Sequence, residues 1–412
     1  MPTSLLGSRT LLVPQQTGTV RGPVVVLYQR QDSTLWAGVP DSPVLPEATP
    51  IVSGGGYTMS VGLWRATIDN ALVEEISDQL VDGSITMNLD RAIKLAASFT
   101  IRDPGNIAPY TDFLAPFVRL DYDDGRPDVY QQLGLFATKV APGSYNINDS
   151  VATFEGDDLT SVMASSYLTD TANRAAGQNY VTAGIVPAIT GIGATRYNLP
   201  ATTETFPVIQ SYPIGMSYLE RANLVCDQLG WYHLGMDLDG RISTPGAPRN
   251  LASMEPWRVL TDADIIGNID VQPAGQEIAN VVLVINDDAS AAPLSATATN
   301  SDPSSPTSTV AVGRSIMRLV KVTGSTTQAA LNALAARYLA ESRTFYQVLK
   351  ITILHDPTAL VMHQSCRLDL TGEQESLSGL YWIRTASLSL TVNGATQLEL
   401  NRVTDNISEV TI

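Results

Sequence analysis

Two stretches of the chain carry the same order of strand-like segments, and this repetition restricts the fold more than any other feature. The first stretch contains FTIRDP from Phe99, VRLDY from Val118, GLFATKV from Gly134 and ATFEGDD from Ala152. The second contains ITILHDP from Ile351, CRLDL from Cys366, GLYWIRT from Gly379 and ATQLELN from Ala395. In each, a strand ends at Asp-Pro, because proline cannot continue a central ladder. Four landmarks in one order predict a duplicated β unit; the alternative is that two unrelated antiparallel meanders look alike.

Short β-rich runs separated by turn residues predict a mainly β fold with α+β insertions. We predict two similar β-barrel-like tube domains, at residues 58–158 and 251–412, and a smaller α+β domain at 159–250. Residues 1–57 contain seven prolines, and we predict an extended N-terminal arm that lies on a neighbour or on its own chain. Residues 287–312 are low in complexity, so we predict a mobile loop inside the second β domain.

Two segments have the apolar spacing of amphipathic helices, about residues 217–229 and 326–342. Ser217 and Glu220 have the spacing of a capping box, and Gly230 follows the first segment as a stop signal. We expect the two helices to pack near each other. The middle domain would then draw on segments that are distant in the sequence.

The charge balance excludes several classes of partner. The chain has 412 residues, with 25 basic and 41 acidic side chains and a net charge of −16. Such a surface repels phosphates, so we expect no sequence-specific binding of nucleic acid. An acidic surface suits the lining of a channel through which DNA passes without binding, although acidic charge also serves solubility. No run of 18 apolar residues occurs, so we expect no membrane span.

Residues that could carry chemistry are few and scattered. His233, His355 and His363 have no partner at metal-ligand spacing, and Cys226 and Cys366 are too far apart in sequence for a zinc motif. We therefore predict no metal, no cofactor and no catalytic residue. We expect both cysteines to be buried as small apolar side chains.

Five segments between about residues 60 and 402 resemble the hub proteins of phage tail tips and baseplates, in the minor tail protein family of long-tailed phages. They are SITMNLDRAIKLAASFTIRDP, APFVRLDYDDG, LGLFATKV, SYLERANLVCDQLGWYHLGMDLDGRI and GLYWIRTASLSLTVNGATQLELNR. The resemblance implies a homotrimer in the virion tail tip, assembled in the host cytoplasm and without enzymatic activity. Its implied partners are the tail tube or distal tail protein, the tape measure protein, and a central fibre or spike.

The duplication gives a physical reason for such an assembly. Three copies of a chain with two similar domains make a pseudo-hexameric ring, which can dock on a six-fold tube and let DNA pass. We expect the hairpin tips at Asp123, Asp124 and Arg126, and at Gly372, to lie at inter-subunit contacts or at the rim. The cluster of aspartates at the first tip could hold a cation, but a solvated turn is the simpler interpretation.

Two other interpretations remain open at this point. A carbohydrate-binding adhesin or cell-wall hydrolase on a β scaffold would need Trp64, Trp231, Trp257 and Trp382 to form an exposed platform. They lie in apolar strand-like contexts, so packing in the core is the simpler interpretation. A spike protein of a contractile injection machine would share the hub fold.

Overall fold

A computed structural model of the chain describes residues 24–27, 57–109, 111–122, 129–140, 150–246, 255–273, 279–287, 294–305, 307–322, 327–343, 347–391 and 394–403. The N-terminal part is almost wholly β, because buried apolar residues alternate along the strands: Leu95, Ala97, Phe99 and Ile101 are all buried. The strands described in this part are β1 (Val24–Leu27), β2 (Tyr57–Ala66), β3 (Leu72–Glu75), β4 (Leu80–Asn88), β5 (Leu95–Arg102), β6 (Phe113–Tyr122), β7 (Val129–Gln132), β8 (Phe136–Val140) and β9 (Val151–Asp158).

Only one short piece of the predicted N-terminal arm is described. β1 pairs in parallel with β2 of the same chain, with Val24 opposite Thr58 and Leu27 opposite Val61. The rest of the predicted arm before Tyr57 lies outside the described residues.

Helices and short strands alternate in the middle of the chain. The predicted helix starts with a complete capping box: the Ser217 hydroxyl accepts from the Glu220 amide, and the Glu220 carboxylate accepts from the Ser217 amide. Gly230 ends it in the left-handed conformation that glycine tolerates best. The elements are α1 (Leu159–Ser165), β10 (Ala172–Arg174), α2 (Val186–Thr190), β11 (Tyr197–Asn198), β12 (Gln210–Tyr212), α3 (Tyr218–Leu229), β13 (Gly235–Met236) and β14 (Ile242–Ser243).

The C-terminal part returns to strands and includes a small inserted unit. The elements are β15 (Arg258–Thr261), β16 (Asp270–Pro273), β17 (Val281–Asn286), β18 (Ser295–Thr299), α4 (Thr309–Val312), β19 (Met317–Val322), α5 (Gln328–Arg343), β20 (Gln347–Leu354), β21 (Ser365–Asp369), β22 (Gly379–Ser389) and β23 (Ala395–Arg402). The helix predicted over 326–342 is present as α5, and it packs against α3 as expected.

The prediction of a mobile loop over 287–312 was wrong for much of its length. Ser295–Thr299 form β18 on the edge of β17, and Thr309–Val312 form α4. Low complexity misled the prediction because alternating small residues, SATAT, fit an edge strand as well as a loop. The sheet β18–β17–β19 is covered by α5, and residues such as Val282, Val284 and Leu334 form a second, smaller core.

The two repeated stretches have the same strand order. We call β4, β5, β6, β8 and β9 the first repeat, and β16, β20, β21, β22 and β23 the second repeat. Hydrogen-bonded neighbours follow the order β6–β8–β9–β5–β4 in the first repeat and β21–β22–β23–β20–β16 in the second. Every pairing within this order is antiparallel, so the duplication extends to strand direction.

Not all of the sequence landmarks coincide in register. Phe99 lies opposite Phe154 as Ile351 lies opposite Leu398, so FTI and ITI match. The Arg-Leu-Asp landmark does not match, because Leu114 opposite Phe136 corresponds to Cys366 opposite Tyr381. By that pairing, the motif lies four residues further along its strand in the first repeat than in the second.

One sheet runs through both repeats. Its path goes from β1 through the first repeat to β4, then to β22, and ends at β16. Within the described residues the path does not return on itself, so closure into barrels stays a prediction. One large hydrophobic core extends through the first repeat, the middle region and the second repeat.

Candidate functional site at the joint of the two repeats

The two repeats are joined by strand pairing between β4 and β22. Antiparallel register runs from Thr385 opposite Asn88 to Ser389 opposite Ser84. The hydroxyls of Thr86 and Ser387 lie 3.1 Å apart across the joint. Because β22 is long, its N-terminal half pairs with β21 and its C-terminal half reaches the first repeat.

The equivalent edges at the two ends of the duplicated array carry less pairing. β16 of the second repeat corresponds to β4, and among the described strands it pairs only with β20. β8 of the first repeat corresponds to β22, and beyond Ala137 its described residues pair only with β9. Val271 on β16 and Ile266 before it are 47% and 46% exposed. Backbone groups on such edges are open to pairing with another chain.

A buried ion network fixes the corner of the second repeat. The Arg258 guanidinium lies 2.6 Å from the Asp264 carboxylate and 3.0 Å from the Asp356 carboxylate. Asp356 also caps the turn that begins at Pro357, by accepting from the amide of Thr358. Burial raises the pKa of Asp356, although the bonds from Thr358 and Arg258 oppose that shift.

A cavity of about 290 Å³ lies beside the joint, and we call it the junction cavity. Its lining comes from the β4–β5 turn, the segment after α3, β19, α5, the segment before β21, and β22. Its charged lining residues are four cations and one carboxylate: Lys94, Arg318, Arg337, Arg384 and Asp90.

Aromatic rings form one wall of the junction cavity. Tyr232 stacks on His363 at 3.9 Å between ring centroids, and Trp382 follows at 6.1 Å from His363. The guanidinium of Arg384 lies 4.6 Å from the Trp382 ring centroid. Burial, and then the nearby charges of Lys94 and Arg337, lower the pKa of His363 to about 3, so this ring is neutral near pH 7.

The structure locates only one of the four residues expected at hairpin tips. Gly372 begins an exposed turn between β21 and β22, with φ of 66°. The preceding Thr371 donates to the Asp262 carboxylate through its amide and its hydroxyl. Asp123, Asp124 and Arg126 lie outside the described residues, so their roles stay predictions, as does the cation at that tip.

The four tryptophans of the carbohydrate-binding interpretation pack in the protein interior rather than on an exposed surface. Trp64, Trp231 and Trp382 are buried, and Trp257 is half-buried with its indole N–H donating to the Thr358 hydroxyl. The exposed aromatic platform of the carbohydrate-binding interpretation is therefore not formed by these side chains. Both cysteines are free and buried, as expected.

The histidines occupy unrelated positions. His233 lies 2.9 Å from the Asp227 carboxylate, and the His355 ring is paired with the carbonyl of Ser389 at 3.1 Å. In the part of the chain that the structure describes, no three His, Cys, Asp or Glu side chains are grouped as a metal site would need. Nor does that part contain a helix with the length and apolar character needed to cross a membrane.

Sequence reasoning missed the edge strand β16 and the junction cavity. β16 is short, at four residues, and ends in proline, so it gives little strand signal. The cavity residues come from segments between positions 89 and 384, and their convergence depends on the pairing of β4 with β22. No local motif marks them.

Comparison with known proteins identifies the fold. No protein-family model and no curated protein sequence matches the chain. The structure is similar to the crystal structure of a tail protein from Neisseria meningitidis MC58, with a TM-score of 0.54 and 14% identity over 85% of this chain and 98% of that one. It is also similar to the 43 kDa tail protein of prophage MuSo2 from Shewanella oneidensis, with a TM-score of 0.53 and 13% identity over 83% and 98%. The chain thus has the fold of phage tail proteins, and the resemblance inferred from its sequence is confirmed at the level of the fold.

Proposed function

We propose that this chain is the hub of a phage tail tip or baseplate. Three copies form a pseudo-hexameric ring that joins the tail tube or distal tail protein to a central fibre or spike, and DNA passes through the ring. The observation that carries the proposal is the duplicated strand order, in which two equivalent repeats already lie side by side in one sheet.

The joint inside the chain suggests how neighbouring copies meet. β4 of the first repeat pairs with β22 of the second, and their counterparts β16 and β8 each have an outer edge with little pairing among the described strands. In the ring, β16 of one copy pairs with β8 of the next. Strand pairing places Ala386 opposite Met87, so the equivalent contact is Val140 of one copy opposite Pro273 of its neighbour.

This arrangement pairs the outer edges of β16 and β8 all the way round the ring. Three joints within chains alternate with three joints between chains, and a head-to-tail contact that closes gives a ring rather than a filament. The acidic balance of the chain, −16, suits a passage that does not hold DNA phosphates. The hairpin tips at Asp123, Asp124, Arg126 and Gly372 are proposed contacts or rim positions in this ring.

The proposed role is structural rather than enzymatic, and a tape measure protein completes the set of proposed partners. Support comes from the tail-protein fold, together with the packing of the tryptophans that a carbohydrate-binding surface would need. Receptor binding or cell-wall digestion would then belong to a partner.

Engineered disulfides test the contact between copies. The double variant Val140→Cys/Pro273→Cys should form a covalent trimer under mild oxidation, seen on non-reducing gels and by light scattering. An equal mixture of the two single variants should form covalent dimers, since each mixed trimer holds one complete cysteine pair. The native cysteines are buried, so they give a low background.

A matched control uses Val140→Cys with Val259→Cys, because Val259 is exposed on β15 and away from the proposed joint. That pair should stay uncrosslinked. A chain that is monomeric at high concentration and in the assembled particle would rule out the ring itself. A trimer that forms without the Val140–Pro273 disulfide would rule out only this joint.

A further inference from the structure

We propose that the junction cavity binds a small oxyanion of the phosphate class. The first observation is charge: four cations and one carboxylate line the cavity, although the whole chain carries −16. A concentration of positive charge inside so acidic a protein favours an anionic occupant. The site lies within one chain and does not depend on the proposed ring.

A local irregularity in β22 brings one of these cations to the cavity. The pairing of β22 with β23 shifts by one residue between Ile383 and Thr385, whereas the equivalent pairing of β8 with β9 is regular. Arg384 is therefore an extra residue in a bulge that the first repeat lacks. Bulges re-aim side chains and often lie beside functional sites.

Arg384 is a largely buried cation. Arg384 is 7% exposed, and burial lowers the pKa of its guanidinium to about 10. Its ion pair with Asp90 is at the surface side, since the Asp90 carboxylate is 58% exposed. An oxyanion in the cavity would add a further negative partner for this guanidinium.

Two ring nitrogens in the same wall lack hydrogen-bond partners. Nε1 of Trp382 and Nδ1 of His363 are both buried, and neither has a partner among the described residues. An indole N–H can only donate, and a neutral imidazole can present one N–H. Guanidinium, ammonium and indole groups together offer donors, so the fitting ligand is rich in acceptors, as a phosphate is.

Structural contacts explain part of the cluster. Arg337 donates to the carbonyl of Trp231 at 2.6 Å, and Lys94 donates to the carbonyl of Leu89 at 2.7 Å. Arg318 differs, because it is exposed on β19 and its guanidinium lies 4.5 Å from the Tyr338 ring centroid. Its removal should therefore affect ligand binding more than folding, which makes it the sharper test.

The test is calorimetric titration of the isolated full-length chain with inorganic phosphate, at ionic strength fixed with sodium chloride. We expect saturable binding at one site per chain. Arg318→Gln and Trp382→Phe should each weaken binding about tenfold, because the first removes a cation and the second an N–H donor. Arg367→Gln removes an exposed arginine of the second repeat outside the cavity and should bind phosphate like the wild type.

A second arm uses glycerol phosphate in place of inorganic phosphate. Tighter binding of the monoester indicates that the site takes the phosphate group of a larger ligand, and tighter binding of inorganic phosphate indicates a free anion. The proposal fails if the wild type gives no saturable heat. It also fails if Arg318→Gln and Trp382→Phe, each with a wild-type circular dichroism spectrum, bind phosphate as tightly as Arg367→Gln does.

Discussion

The first and second repeats share a strand order, but the aspartate of the Asp-Pro corner is exposed in the first repeat and buried in the second. In the first repeat, Asp103 is exposed and adopts a left-handed backbone with φ of 48°. In the second, Asp356 is buried and paired with Arg258. The same turn signal thus ends both strands, while only the second corner depends on a buried ion network. The duplication preserves backbone pairing and leaves the side chains to diverge.

Equivalent positions on β8 and β22 show the same divergence. Register places Ala137 of the first repeat where the second has Trp382, and the bulge at Arg384 has no counterpart on β8. The half-exposed Lys139 on β8 lies within 3.5 Å of the carboxylates of Glu155 and Asp157 on the next strand. On these two equivalent strands, the first repeat keeps its charge near the surface and the second takes charge into the interior.

The largest expected effect concerns the buried ion network. Arg258→Met leaves the carboxylates of Asp264 and Asp356 buried without their cation, so we expect a loss of about 3–5 kcal/mol in the free energy of unfolding. Urea denaturation of the purified chain measures this. Arg367→Met, on the exposed face of the neighbouring strand, should change stability by less than about 0.5 kcal/mol. Equal losses in both variants would show that the buried network stabilises this corner no more than an exposed arginine does.

A second comparison uses the glycines that open β22 and precede β8. A Cβ added at Gly134, with φ of 116°, would lie 2.9 Å from Cε of Met236, whereas one added at Gly379 would meet nothing closer than 3.4 Å. We expect Gly134→Ala to cost about 2–3 kcal/mol, from backbone strain and overpacking, and Gly379→Ala about 1 kcal/mol. Thermal or urea unfolding of the two variants shows which loses more free energy of unfolding. A larger loss in Gly379→Ala would contradict the prediction.

The smallest expected effect is a dependence on pH. Burial lowers the pKa of His355 to about 3, while the unfolded chain binds that proton near pH 6.5. Between these values the unfolded state holds more protons, so stability falls as the pH falls. We expect His355→Gln to reduce this slope by up to about 1.4 kcal/mol per pH unit, measured as urea midpoints between pH 6 and 4. An unchanged slope would show that His355 is not buried in neutral form.

Local patterns predicted the individual elements well. The strands near Phe99, Val151, Ile351 and Ala395 are present, and the capping box at Ser217 forms as its spacing indicates. These features depend on side chains a few residues apart, which one segment of sequence contains. The short strand β16 and the strand β18 were missed, because edge strands need few buried apolar residues and carry little periodic signal.

The candidate sites were the least predictable part. Gly372 could be named from its turn signal, but the cations of the junction cavity could not, because Lys94, Arg337 and Arg384 belong to segments far apart in the chain. The local sequence around an arginine on a strand does not show whether the side chain is exposed or lines a cavity. The bulge that redirects Arg384 depends on the register between β22 and β23, which only pairing defines.

By itself, the sequence determined that this chain is mainly β, that its strand pattern is duplicated, and that two amphipathic helices interrupt it, because alternation, turn residues and helical periodicity act over short distances. Tertiary structure alone decided that β4 pairs with β22, that the outer edges of β16 and β8 carry so little pairing among the described strands, and that four cations converge beside Trp382. Those outcomes depend on contacts between residues hundreds of positions apart, which the whole core selects together.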